Sequence, residues 1–269
     1  MAMPLPPKPV LLPGLKESPF ECVRDGLTIR GTEYRPEGEN LPVAIVSHGF
    51  MGCQALSWHY TMALASVGYA AYCFDFCGGS APGTGASDGK STDMSVLSEV
   101  KDLEAVIAYA RSLPYTSNEL LLMGCSQGGF VSALAAAKPE TDVDKLVLFY
   151  PALCIPDDAR AGRMLFAKFD PNDIPEIIDC GPMLLGRQYA AEMIHVDPYE
   201  AISPYPGPVL IVHGTDDQIV NVDYARNAEK AYEAATPGRT KLVIIEGGAH
   251  GFVPEHDAVA IDAVKEFSK

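Results

Sequence analysis

The chain has 269 residues, 48% of them hydrophobic and 20% charged, proportions ordinary for one large globular domain with an ample core. Thirty-five acidic against 20 basic residues give a formal net charge of −15, which repels a nucleic-acid backbone and excludes that class of partner. No apolar stretch approaches the length of a membrane span. Met1 to Leu15 is proline-rich and lacks the basic and apolar regions of a secretory leader, so no signal peptide is expected. The seven cysteines are odd in number and form no CxxC pair, so reduced thiols and a cytoplasmic location are expected. Cys73 and Cys77 bracket a strand end without enough further ligands for a metal, and no metal site is expected.

Residues 1–18 read as a loosely ordered lead-in. Phe20–Val23 and Leu27–Tyr34 flank Arg24-Asp25-Gly26, the pattern of an antiparallel hairpin at a sheet edge. Strands at 43–47, 70–75, 119–124, 145–150, 208–213 and 241–246 then alternate with helices at about 55–67, 94–113, 128–138, 223–235 and 255–267. Such alternation predicts an α/β fold with a mostly parallel central sheet covered by helices on both faces. The helix at 94–113 carries apolar residues at Val96, Leu97, Val100, Leu103, Val106, Ile107 and Ala110, an amphipathic period. The interval 152–205 breaks the alternation and is rich in Pro, Asp and Met. An insertion there, within a single domain spanning 1–269, would lie over the C-terminal edge of the strands, where open α/β sheets bind ligands. It is expected to act as a cap over the substrate pocket.

Gly124-Cys125-Ser126-Gln127-Gly128 follows the apolar run Leu120–Met123 and precedes a helix. A G-x-S-x-G turn between strand and helix lifts a serine hydroxyl clear of the sheet, so Ser126 is the candidate nucleophile. Cys125 beside it is expected to be a small buried filler. A nucleophilic serine needs a base and an acid downstream. Of the six histidines, only His250 follows the final strand in a glycine-rich loop able to reach Ser126. His48 precedes the nucleophile and is expected to shape its loop. His213 ends a strand and is expected to bond locally. The acid lies in the loop after Val209–Gly214, as Asp216 or Asp217, with Asp75 expected to be structural.

Along nearly its whole length the chain resembles an α/β-hydrolase. The family's acid falls three residues after the glycine closing the strand, which points to Asp217 and leaves Asp216 to cap the loop through backbone amides. The resemblance also implies an oxyanion hole made by the backbone N–H groups of Phe50, after His48-Gly49, and Gln127, after the serine. The segments His48-Gly49-Phe50, Ser126-Gln127-Gly128-Gly129, His213-Gly214-Thr215-Asp216-Asp217 and Glu246–His250 together resemble the bacterial cinnamoyl (feruloyl) esterases. In those enzymes a cap of comparable length follows the sixth core strand. An acidic residue and a tyrosine in it bond the phenolic hydroxyls of the substrate, and alignment assigns these roles to Asp158 and Tyr189. The chain departs from the family at Cys77–Lys90, where a short glycine turn is enlarged.

The resemblance implies a serine carboxylesterase needing no cofactor, with a small-molecule ester as partner, no nucleic acid or membrane, and a homodimer admissible. The same machinery also serves short-chain carboxylesterases, thioesterases, acyltransferases and small peptidases. A non-catalytic ligand receptor would be expected to lack part of the constellation.

Overall fold

A computed structural model describes residues 6–269. The expected lead-in therefore falls partly outside the described residues, and its end proves to be strand. Strand β1 (Leu15–Arg24) pairs antiparallel with β2 (Leu27–Pro36) through an Asp25-Gly26 turn in which both residues have positive φ. That turn matches the twist of a two-residue hairpin. The strand begins five residues before Phe20. Its polar alternation with Pro19 is tolerated because β1 is the outermost strand of the sheet.

The chain continues through β3 (Leu41–Ser47), α1 (Trp58–Ala65), β4 (Ala70–Phe74), α2 (Val96–Arg111), β5 (Thr116–Cys125), α3 (Gln127–Ala136) and β6 (Lys145–Phe149). After β6 it enters a run of short elements. These are α4 (Ile155–Arg160), the hairpin β7 (Arg163–Met164) and β8 (Ala167–Lys168), the hairpin β9 (Ile177–Asp179) and β10 (Leu184–Gly186), α5 (Arg187–Ala191) and α6 (Pro198–Ile202). It returns to the sheet as β11 (Val209–Gly214), α7 (Asp223–Ala235), β12 (Thr240–Ile245) and α8 (Pro254–Ser268).

The sheet has eight strands in the order β1-β2-β4-β3-β5-β6-β11-β12, and all pairings from β4 to β12 are parallel. It is therefore an α/β sheet, mostly parallel, as the alternation predicts. Strands β4 and β11 are buried at every residue, since helices cover both faces. Helix α2 starts with a reciprocal cap in which Ser95 Oγ accepts from Ser98 N at 3.1 Å and Ser98 Oγ from Ser95 N at 2.8 Å. Segment 152–205 packs Leu153, Ile155, Met164, Leu185, Tyr189 and Met193 into the same apolar core as the sheet. Among the described residues no helix is long and apolar enough to cross a membrane.

Candidate active site

The three loops that meet over the sheet leave the C-terminal ends of β5, β11 and β12. Ser126 sits between β5 and α3 with φ 54° and ψ −120°, a backbone conformation that costs a non-glycine residue on the order of 1–3 kcal/mol. The flanking glycines make the turn possible. A Cβ on Gly124 would overlap Gly128 O, and one on Gly128 would overlap His48 O. The turn is tied to β6 by Ser126 N donating to Phe149 O at 2.9 Å and Ala152 N to Ser126 O at 2.9 Å.

His250 comes from the loop after β12. Its Nε2 lies 3.0 Å from Ser126 Oγ, and its Nδ1 2.7 Å from Asp217 Oδ2. Tyr150 packs against the imidazole with ring centroids 4.7 Å apart. Asp217 Oδ1 accepts the Ile219 and Val220 amides at 2.9 and 2.8 Å. Burial alone would raise its pKa, but hydrogen bonds from His213, His250 and the Val220 amide outweigh it and hold the carboxyl well below the usual carboxylate range. Ser126, His250 and Asp217 thus stand in one hydrogen-bonded line.

Asp216 does a different job from the one expected of it. It is exposed, and its carboxylate receives the Thr215 hydroxyl at 3.2 Å, while the loop amides go to Asp217. A side chain on the outer side of this turn cannot reach amides that point inward. His213 bonds locally as expected, through Nε2 to Val220 O at 2.9 Å, but the same Nε2 is 3.3 Å from Asp217 Oδ2. This second contact was not foreseen.

Asp75 is structural, accepting Gln54 N at 2.7 Å and Ala86 N at 2.8 Å. His48 Nε2 accepts the Phe76 amide at 3.2 Å, so Nδ1 carries the proton and donates to Gly49 O at 2.8 Å. Burial lowers its pKa and keeps it neutral. It thereby fixes the turn leading to Phe50. The enlarged 77–90 loop braces the same turn, since Ala81 N donates to Met51 O at 3.2 Å and Ser80 bridges to Met51. Phe50 and Gln127 both border the pocket that contains Ser126 and His250, and neither backbone N–H donates to a protein acceptor among the described residues. Cys125 is buried, its thiol pushed up to about 12 by burial, and it does not line the pocket.

The pocket is mainly apolar. Segment 152–205 supplies Ile155, Met164, Leu165 and Leu185, and Met51 and Ile219 add to the apolar lining. Asp158 and Tyr189 both line it. Asp158 Oδ1 accepts Arg163 Nε at 2.7 Å. The Tyr189 hydroxyl makes a short hydrogen bond to Gln127 Oε1, and Gln127 Nε2 donates to Glu99 Oε2 at 2.7 Å. Glu99 is 1% exposed, and burial raises its pKa well above the carboxylate range. The sequence reading missed Glu99. Its signal was an acid three residues after Val96 and four before Leu103, on the apolar stripe of α2.

An eight-stranded, mostly parallel sheet with a serine on a strand–helix elbow and a histidine on the exit of its last strand is that of an α/β hydrolase. Residues 38–179 match the family model described as Hydrolase_4, serine aminopeptidase S33, and the chain belongs to that family. Among solved structures, Est1E from Butyrivibrio proteoclasticus with ferulic acid bound is 30% identical. The match covers 92% of this chain and 97% of that one, with a TM-score of 0.83. A carboxymethylenebutenolidase from Pseudomonas putida is 32% identical over 136 residues, 47% of this chain and 57% of the relative. Esterase LipC from Mycobacterium tuberculosis is 26% identical over 171 residues, 57% of this chain and 40% of the relative. The chain thus spans between two fifths and three fifths of the length of the curated relatives it matches.

Proposed function

We propose that the protein is a serine carboxylesterase that hydrolyses hydroxycinnamate esters through an acyl-enzyme. The observation that carries the proposal is the line from Asp217 through His250 to Ser126, at 2.7 and 3.0 Å, opening on an apolar pocket that also holds Asp158 and Tyr189. Ser126 Oγ attacks the ester carbonyl carbon while His250 Nε2 takes its proton, and Asp217 steadies the imidazolium through Nδ1. The Phe50 and Gln127 amides receive the developing oxyanion. The C–O bond then breaks, and the alcohol leaves with the proton from His250. Water, deprotonated by the same nitrogen, attacks the acyl-enzyme and releases the acid. No metal or organic cofactor enters these steps.

The substrate assignment draws support from the two polar groups of the pocket and from the similarity to an enzyme whose structure holds ferulic acid. A pocket that pairs with a hydroxyl loses about 1–3 kcal/mol of transition-state binding when one partner is removed. Tyr189→Phe and Asp158→Ala should therefore lower kcat/KM for methyl caffeate and methyl ferulate, with a much smaller effect on a short-chain nitrophenyl ester. Equal losses on both substrate types would assign these residues to folding or access instead. Absence of ferulate and caffeate turnover by the wild type would leave a short-chain carboxylesterase.

A further inference from the structure

Gln127 carries a side-chain duty separate from its backbone amide. Its amide group has a donor end and an acceptor end, and the donor end is taken by Glu99 Oε2 at 2.7 Å. The same nitrogen lies 4.0 Å from the Met94 sulfur, which can only accept, so the amide oxygen faces Tyr189, whose hydroxyl donates to it. A phenol has one proton, so a Tyr189 hydroxyl committed to Gln127 keeps only lone pairs for anything else in the pocket. All three side chains are shielded from water, with Glu99, Gln127 and Tyr189 1%, 1% and 3% exposed. The neighbouring stretch of the inserted segment is tied to the turn before α2, through Gln188 Nε2 donating to Thr92 O. Asp158, already an acceptor for Arg163, is of the same polarity.

We propose that Glu99 is a positioning residue which, acting through Gln127, makes the Tyr189 hydroxyl a hydrogen-bond acceptor toward the acyl pocket, so that the favoured acyl group must carry a donating hydroxyl. The proposal rests on the hydroxycinnamate reading and adds a direction to it. A free phenol satisfies the pocket, whereas its methyl ether sets oxygen against oxygen.

The test compares kcat/KM for methyl 4-hydroxycinnamate, methyl 4-methoxycinnamate and a nitrophenyl acetate standard on wild type, Glu99→Gln and Glu99→Leu. Wild type should favour the hydroxyl ester over the methoxy ester by about tenfold or more, as expected when a buried polar partner is left unpaired. Glu99→Gln still accepts from Gln127 and should retain that preference. Glu99→Leu frees the amide to rotate and should bring the ratio to about threefold or less, a loss of roughly one hydrogen bond. Should Glu99→Leu fail to fold, Gln127→Met removes the same link and should give the same loss of preference. A preference unchanged in the folded leucine or methionine variant overturns the role of Glu99 and leaves the hydroxycinnamate reading standing, whereas a wild type favouring the methoxy ester overturns both. Turnover of the acetate with none of either cinnamate overturns both.

Discussion

Replacing Asp217 by asparagine tests the site through a change of one heavy atom. Asp217 Oδ1 holds the Ile219 and Val220 amides at 2.9 and 2.8 Å, and only an oxygen can accept from them. The asparagine oxygen must occupy that position, which turns its NH₂ toward His250 Nδ1, now 2.7 Å from a carboxylate oxygen. The imidazole can meet a donor only with an unprotonated Nδ1, so its proton moves to Nε2 and points at Ser126 Oγ, 3.0 Å away. A base in that tautomer cannot take the serine proton. The protonated Nε2 of His213, 3.3 Å from the same position, also opposes the NH₂. The same substitution in another serine hydrolase costs about 10⁴-fold in kcat, which corresponds to about 5.5 kcal/mol. The expected loss here is of that order, measured as kcat on nitrophenyl acetate with the folded state checked by circular dichroism. Asp216→Asn, on the exposed side of the turn, should stay within about threefold, as surface changes away from a network do. A folded Asp217→Asn enzyme within tenfold of wild type, or a crippled Asp216→Asn enzyme, would refute the reasoning.

Ser126→Ala should lower ester turnover by on the order of 10⁴-fold or more, because serine, histidine and acid act as one unit. A phosphonate reagent mapped to any other serine would contradict the mechanism. Ser126→Gly should be equally inactive yet more stable than Ser126→Ala, by about 1 kcal/mol, since glycine relieves the φ of 54° at some cost in unfolded-chain entropy. Equal melting temperatures would count against stored strain. Gly124→Ala should destabilise by about 3 kcal/mol, the upper range of overpacking, because its Cβ overlaps Gly128 O; a wild-type denaturation midpoint would rule this out. The depressed pKa of Asp217 contributes stability that is complete above the unfolded carboxylate value of about 3.9 and fades as pH falls toward the folded value. The stability gap between wild type and Asp217→Asn should therefore narrow below about pH 4, and a gap constant with pH would argue against that coupling.

Much of this was legible in the chain because strong patterns carry it. The six parallel strands and the helix Asp223–Ala235 fall where apolar runs and amphipathic spacing place them. The elbow was legible for the same reason, since a glycine-flanked serine between an apolar run and a helix has few other uses. The start of β1 was not, because an edge strand needs no apolar alternation and can hold Pro19. Strands of two and three residues in 163–186 are too short to show any period. Side-chain links between distant segments, such as Glu99 to Gln127 and His213 to Asp217, depend on the fold itself. An acid on the apolar stripe of α2 was the one trace that the first of these left in the sequence.

Six of the seven thiols, at Cys53, Cys73, Cys77, Cys125, Cys154 and Cys180, are buried, and Cys22 is partly exposed. Cys73 and Cys125 lie within the sheet strands, whereas Cys154 and Cys180 line the pocket from the inserted segment. A thiol reagent therefore meets two depths of protection in one molecule. Alkylation of Cys154 and Cys180 clocks local opening over the active site, while alkylation of Cys73 and Cys125 waits for the sheet to come apart. Mass spectrometry of timed labelling would read both clocks at once, with no probe added to the chain.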